Sequence, residues 1–171
     1  LNSIATQPSR DHIAHIIFQL KQHSDADIFN ALKDINWRNL CPDEIPPALM
    51  NWDQLNSMQA SGLVEIGSHT CTHRRLTSAL TSAELEHEIV NSKKILQAKL
   101  SAPVELFCFP NGDYNAAALA LVETHYSAAV TTKRGINTSN SVALHELTRI
   151  GLHDEVSHTR SLLRSRLSGW V

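Results

Sequence analysis

Two histidines, His69 and His73, stand four residues apart just after the apolar run Leu63-Val64-Glu65-Ile66. A neutral imidazole offers a nitrogen lone pair to a divalent cation, and two of them can grip one ion at roughly 2.0–2.1 Å each. If residues 69 to 73 form a helical turn, that spacing stacks both rings on one face. A catalytic zinc usually takes three protein ligands and a water, so a third ligand is required from elsewhere in the chain. Cys71 lies between the histidines but off their shared face, and it reads as a small buried side chain rather than a ligand. The competing reading is that His69 caps a strand and His73 is simply solvated.

Two further stretches carry reactive or turn-forming residues. In Phe107-Cys108-Phe109-Pro110-Asn111-Gly112-Asp113-Tyr114, Gly112 permits a positive φ in a turn after an apolar run. In Leu147-Thr148-Arg149-Ile150-Gly151-Leu152-His153-Asp154, His153 follows a predicted strand, and an imidazole titrating near neutrality suits protonation of a departing amine. The plainer reading of the Pro-Asn-Gly segment is a turn that closes a βα connection.

Taken together and in this order, the three stretches resemble the motifs of the polysaccharide deacetylase family, the carbohydrate esterases with a NodB-type domain. Residues 65 to 76 resemble its metal-binding His-Ser/Thr-x-x-His motif, residues 107 to 114 its third motif and residues 147 to 154 its last. The resemblance implies a metal-dependent hydrolase that removes N-acetyl groups from a polysaccharide or amino-sugar glycan. His69 and His73 would hold a divalent metal, zinc first, with cobalt, nickel or iron as alternatives. The backbone N–H of Asn111 would face the oxyanion, His153 would act as general acid, and Pro110, Gly112 and Tyr114 would line the sugar pocket.

The chain departs from the family pattern in two places. The family's third motif often carries an arginine and a tyrosine where this chain has Cys108 and Asn111, so the group that orients the base must differ. Its Asp-Asp motif, source of the third ligand and the base, has no counterpart among the 171 residues. Asp113 and Asp154 are the nearest acidic candidates by motif, yet the resemblance assigns neither that role. The expectation is therefore the C-terminal part of a distorted (β/α) barrel whose two earliest strands precede Leu1. Residues 1–50 would be a helical insertion and 51–171 the NodB-like portion. Alternatives are a non-catalytic carbohydrate-binding or scaffolding domain on the same fold, and an O-acetyl esterase.

The elements that must position these residues follow from caps and periodicity. Ser9 precedes Ile13, Ile16, Ile17 and Leu20 at helical spacing, and Ser24 precedes a second helix to Ile35. Prolines 42, 46 and 47 then force a loop. Asn51/Gln54 and Thr81/Glu84 read as capping boxes, the first opening a helix that stops at Gly62, the second a long helix to about Leu100. In that long helix Leu85, Ile89, Ile95 and Leu96 should face inward, with Lys93 and Lys94 solvated. Strands at 63–67, 105–109, 128–132 and 148–152 alternate with helices at 115–125 and 156–167, a pattern of parallel βαβ units. His87, His125, His145 and His158 read as solvated, and Trp37, Trp52 and Trp170 as packing residues.

Composition sets outer limits. Hydrophobic residues make up 42% and charged residues 19% of the chain, with a net charge of −2. That balance gives no footprint for nucleic acid, and no apolar run reaches the roughly 18 residues of a membrane span. A glycan is the expected partner, with self-association through an open barrel edge as a further expectation. Cys41, Cys71 and Cys108 are odd in number and widely spaced, which favours a reducing, cytoplasmic compartment.

Overall fold

The computed structural model describes residues 8–40, 49–77, 79–139 and 142–169. Cys41, the proline loop and Trp170 lie outside the described residues. The chain divides into two compact units, Leu1–Ala48 and Leu49–Val171.

In the first unit, α1 (Arg10–Leu20) and α2 (Asp25–Asp34) start where Ser9 and Ser24 accept hydrogen bonds from the His12 and Asp27 amides. Each cap satisfies an amide that the first turn leaves without a partner. Neither helix buries a residue: Ile13, Ile16 and Ile17 are exposed, although their spacing predicts an inward stripe.

The second unit begins with α3 (Trp52–Ala60), opened by the Asn51/Gln54 capping box and followed by Gly62 in the left-handed region. A continuous helical run then extends through α4 (Ser82–Glu86), a π-helical turn (His87–Asn91) and α5 (Ser92–Leu100), with Thr81 and Glu84 forming the box at its start. The π turn corrects two expectations. An extra residue in one turn rotates everything after it, so a 3.6-residue count carried across it loses phase. Ile95, expected inward, is 46% exposed. Lys93, expected in solvent, instead donates to the Glu105 carboxylate at 3.3 Å and to the His125 carbonyl at 2.5 Å.

The remaining elements are β1 (Leu106–Cys108), α6 (Ala116–His125), β2 (Ala128–Arg134), β3 (Leu147–Arg149), α7 (Asp154–Ser157) and α8 (Arg160–Leu167). The strands form a parallel sheet in the order β1-β2-β3, with Phe107 opposite Ala129 and Val130 opposite Leu147. The last predicted helix is two, because Thr159 adopts extended backbone and caps α8 by accepting from the Leu162 amide. Alternate residues of the sheet point to opposite faces. Phe107 and Ala129 join Leu76, Leu85, Ile89, Phe109 and Val122 in the core. Leu106, Cys108, Ala128 and Val130 line the other face, which opens on a hollow of about 380 Å³.

The predicted strand at 63–67 is absent. Only Ser68 bridges to β1, its N–H donating to Leu106 O and its O accepting from Cys108 N–H. Leu63 is 90% exposed, so the apolar run is not a buried strand. No helix of the described residues is long and apolar enough to cross a membrane.

Candidate active site

His69 leaves the sheet immediately after that single bridge. Its stem is anchored from below: the buried Ser68 hydroxyl donates to Ser92 Oγ at 2.8 Å, and Ser92 in turn donates to Ile89 O at 2.9 Å. Tyr126 OH donates to the same carbonyl at 2.7 Å, and burial pushes its phenol above the usual range. The π turn therefore supplies the attachment point for the histidine segment, a placement for which such turns are known.

Residues 69 to 73 are not a helical turn. Thr70 and His73 have φ of +69° and +61°, and the His73 amide donates to Thr70 Oγ1 at 2.9 Å. A β-branched residue at positive φ is strained, so surrounding bonds must hold it. They come from Glu88. Its carboxylate, on a residue only 2% exposed, accepts from the amides of Cys71 and Thr72 at 2.9 Å each and from the Thr72 hydroxyl at 2.5 Å. The result brings the two imidazoles together by another route than the one the spacing suggests, with ring centroids 4.8 Å apart and planes at 77°.

His69 Nδ1 lies 2.6 Å from the Cys108 carbonyl oxygen. A carbonyl only accepts, so this contact assigns the proton to Nδ1 and leaves the Nε2 lone pair available, the arrangement usual for a metal-binding imidazole. The pair thus fits a cation as two ligands. Among the described residues no third His, Cys, Asp or Glu completes a group of three with them. Cys71 is half-buried rather than buried. Its thiol donates to His87 O, and burial, reinforced by the Glu88 charge, raises its pKa, which keeps it a thiol.

The Pro-Asn-Gly segment is a 3₁₀ turn, Pro110–Gly112, with Asn111 and Gly112 at φ of +55° and +77°. The Gly112 amide donates to Phe109 O and the Asp113 amide to Pro110 O, so neither turn bond uses the Asn111 amide. Thr132 Oγ1 donates to Asn111 O at 3.2 Å, and a Cβ on residue 112 would meet that hydroxyl at 2.0 Å. The turn is tied to the histidine segment by Leu76 N–H to Asp113 O and Asn115 N–H to Leu76 O. Tyr114 stacks on Phe109 and donates to Glu146, with Lys133 bonded to both. These contacts raise the Lys133 pKa and lower that of Glu146, the Tyr114 hydroxyl being the largest influence on each. Gly112, Tyr114 and Lys133 line an open hollow of about 550 Å³.

His153 stands at the start of α7, exposed, and its contacts are local: its carbonyl accepts from the Val156 and Ser157 amides. β3 ends at Arg149, four residues earlier, so His153 does not directly follow a strand. Arg149 Nη1 comes within 4.0 Å of Cys108 Sγ. Of the histidines expected in solvent, His145 is half-buried with Nε2 at 2.8 Å from Tyr126 O, and His125 is half-buried as well. Sequence reasoning missed Glu88, although a carboxylate on the buried side of a helix, three residues past Leu85, is a visible signal.

A family model described as polysaccharide deacetylase matches residues 13–129 of this chain. No curated protein gives a significant match. Among solved structures, the Streptococcus pyogenes deacetylase PplD in complex with acetate is similar over 71% of this chain and 52% of its own, with 24% identity and a TM-score of 0.63. A de-N-acetylase from Aggregatibacter actinomycetemcomitans matches 81% of this chain and 68% of its own at 20% identity and a TM-score of 0.56. BC0361, a polysaccharide deacetylase from Bacillus cereus, matches 70% and 42% at 21% identity and a TM-score of 0.50. The chain thus spans about half the length of PplD. At such identities the likeness shows the fold, and the parallel α/β arrangement is part of a polysaccharide-deacetylase fold.

Proposed function

This chain belongs to the polysaccharide deacetylase family, and from that premise we propose that it serves a metal-dependent hydrolysis of N-acetyl groups on an amino-sugar glycan. The observation that carries the proposal is the His69–His73 pair, with His69 held in the Nδ1–H tautomer by Cys108 O and the pair tied through Leu76 to the Pro110–Gly112 turn.

His69 and His73 would hold the cation, zinc being the first choice for two imidazoles and an oxygen ligand. When bound, such an ion lowers the pKa of a water towards ~7 and polarises a carbonyl. The chain's own residues supply the rest. The Asn111 amide, left over by the turn, is suited to donate to the oxyanion of the acetamide carbon. Pro110 and Gly112 hold that amide in place, and Tyr114 offers a ring edge to the sugar. His153 is assigned the proton for the leaving amine. Acetate, the ligand named with PplD, is the acyl product this reading expects.

The test is acetate release from N-acetylglucosamine oligomers, with and without chelator, by the parent protein and His69→Ala. Chelator-sensitive release that His69→Ala abolishes supports the reading, and release indifferent to both refutes it. The missing third ligand among the described residues favours a second reading, a glycan-binding domain without catalysis. It predicts oligomer binding that survives His69→Ala, with no acetate released.

A further inference from the structure

Arg134 ends β2 and Arg149 ends β3, and the two are register partners. Together with Arg166 of α8 they line one hollow of about 220 Å³, between Gly135, Gly151 and Gly169. Arg166 is 8% exposed, Arg134 and Arg149 are exposed, and the ion pairs of Arg74, Lys93 and Lys133 with carboxylates involve none of these three arginines. A guanidinium stays charged at any ordinary pH, and no carboxylate among the described residues lines this hollow to offset the three. Three cationic residues lining one small hollow favour an anion there.

We propose that Arg134, Arg149 and Arg166 form an oxyanion subsite that takes a phosphate or carboxylate substituent of the glycan, a proposal that rests on the deacetylase reading for its ligand. The hollow is smaller than the ~300–1,000 Å³ of pockets for whole drug-sized ligands, which fits a single substituent rather than an oligosaccharide. Planar guanidinium forks match an oxyanion with paired hydrogen bonds. Arg134 and Arg149 also line an adjoining hollow that reaches Thr132, whose hydroxyl holds Asn111 O. A sugar at the Asn111 turn can therefore lead its charged group, or that of its neighbour, into the arginines.

The test measures binding of inorganic phosphate, N-acetylglucosamine 6-phosphate and N-acetylglucosamine to the full chain by calorimetry, beside the melting temperature. We expect both phosphates to bind, the phosphosugar more tightly, and Arg166→Met, Arg149→Met and Arg134→Met each to weaken binding about tenfold. The melting temperature without phosphate checks that each variant still folds. No phosphate binding, or binding that all three substitutions leave intact, overturns the subsite. Phosphate binding without preference for the phosphosugar overturns the glycan as its ligand. Phosphate binding retained in a protein that releases no acetate strikes the deacetylase reading and leaves the anion site standing.

Discussion

Glu88 and Thr72 are joined twice: one carboxylate oxygen accepts the Thr72 amide at 2.9 Å and the other its hydroxyl at 2.5 Å. With the Cys71 amide on the same carboxylate, this fixes the segment between the two histidines. Glu88→Gln keeps the shape but turns an NH₂ group towards donors. Leaving a buried donor unsatisfied costs about 1–3 kcal/mol, which urea denaturation will read. Zinc affinity should fall by about 10–100-fold, as it does when partners outside the ligand set are lost. Unchanged zinc affinity at reduced stability would confine Glu88 to holding the fold.

The tautomer of His69 is open to direct observation. Nitrogen-15 NMR of the neutral side chains should show His69 protonated at Nδ1, and cobalt(II) should perturb its Nε2 together with a nitrogen of His73. His69→Ala and His73→Ala should each abolish the cobalt spectrum. A spectrum that either variant leaves intact would place the metal elsewhere.

Gly112→Ala meets two obstacles, a φ of +77° and the Thr132 hydroxyl at 2.0 Å from the new Cβ. A cost of about 1–3 kcal/mol follows, with loss of any activity that depends on the Asn111 amide. Adding Thr132→Ala removes the hydroxyl clash but not the φ strain, so it should restore stability only in part. Full restoration would mean the backbone tolerates alanine there.

Acid stability has a marker at Glu84. The Thr81 backbone N–H, then the Thr81 hydroxyl and Arg74, lower its pKa to about 2 from 4.5. A carboxyl depressed on folding stabilises the native state above its unfolded pKa, and that stability drains away as pH falls from about 4.5 through about 2. In Thr81→Ala the Glu84 carboxyl should titrate closer to 4.5, measured by carbon-13 NMR, and the acid-side slope of stability should flatten. An unmoved titration would assign the depression to the Thr81 backbone N–H and Arg74, which the substitution leaves in place.

Much of the local structure was legible because its causes are local. Ser9, Ser24, Asn51 and Thr81 cap helices through bonds three residues long, so residue type and spacing suffice. The alternation of apolar runs and helices likewise announced parallel strands, and the three motifs pointed to the family. Tertiary structure decided what depends on distant partners. The strand expected at 63–67 shrank to one bridge at Ser68, and the π turn shifted Lys93 and Ile95 out of the phase a regular helix predicts. Glu88, fifteen or more residues downstream, anchors residues 71 and 72 between Thr70 and His73, whose positive φ brings the imidazoles together. Arg134, Arg149 and Arg166, far apart in sequence, come to line one hollow only in the folded chain. Hydrogen bonds within a turn are written in consecutive residues, whereas a site assembled across elements exists only once packing sets their distances.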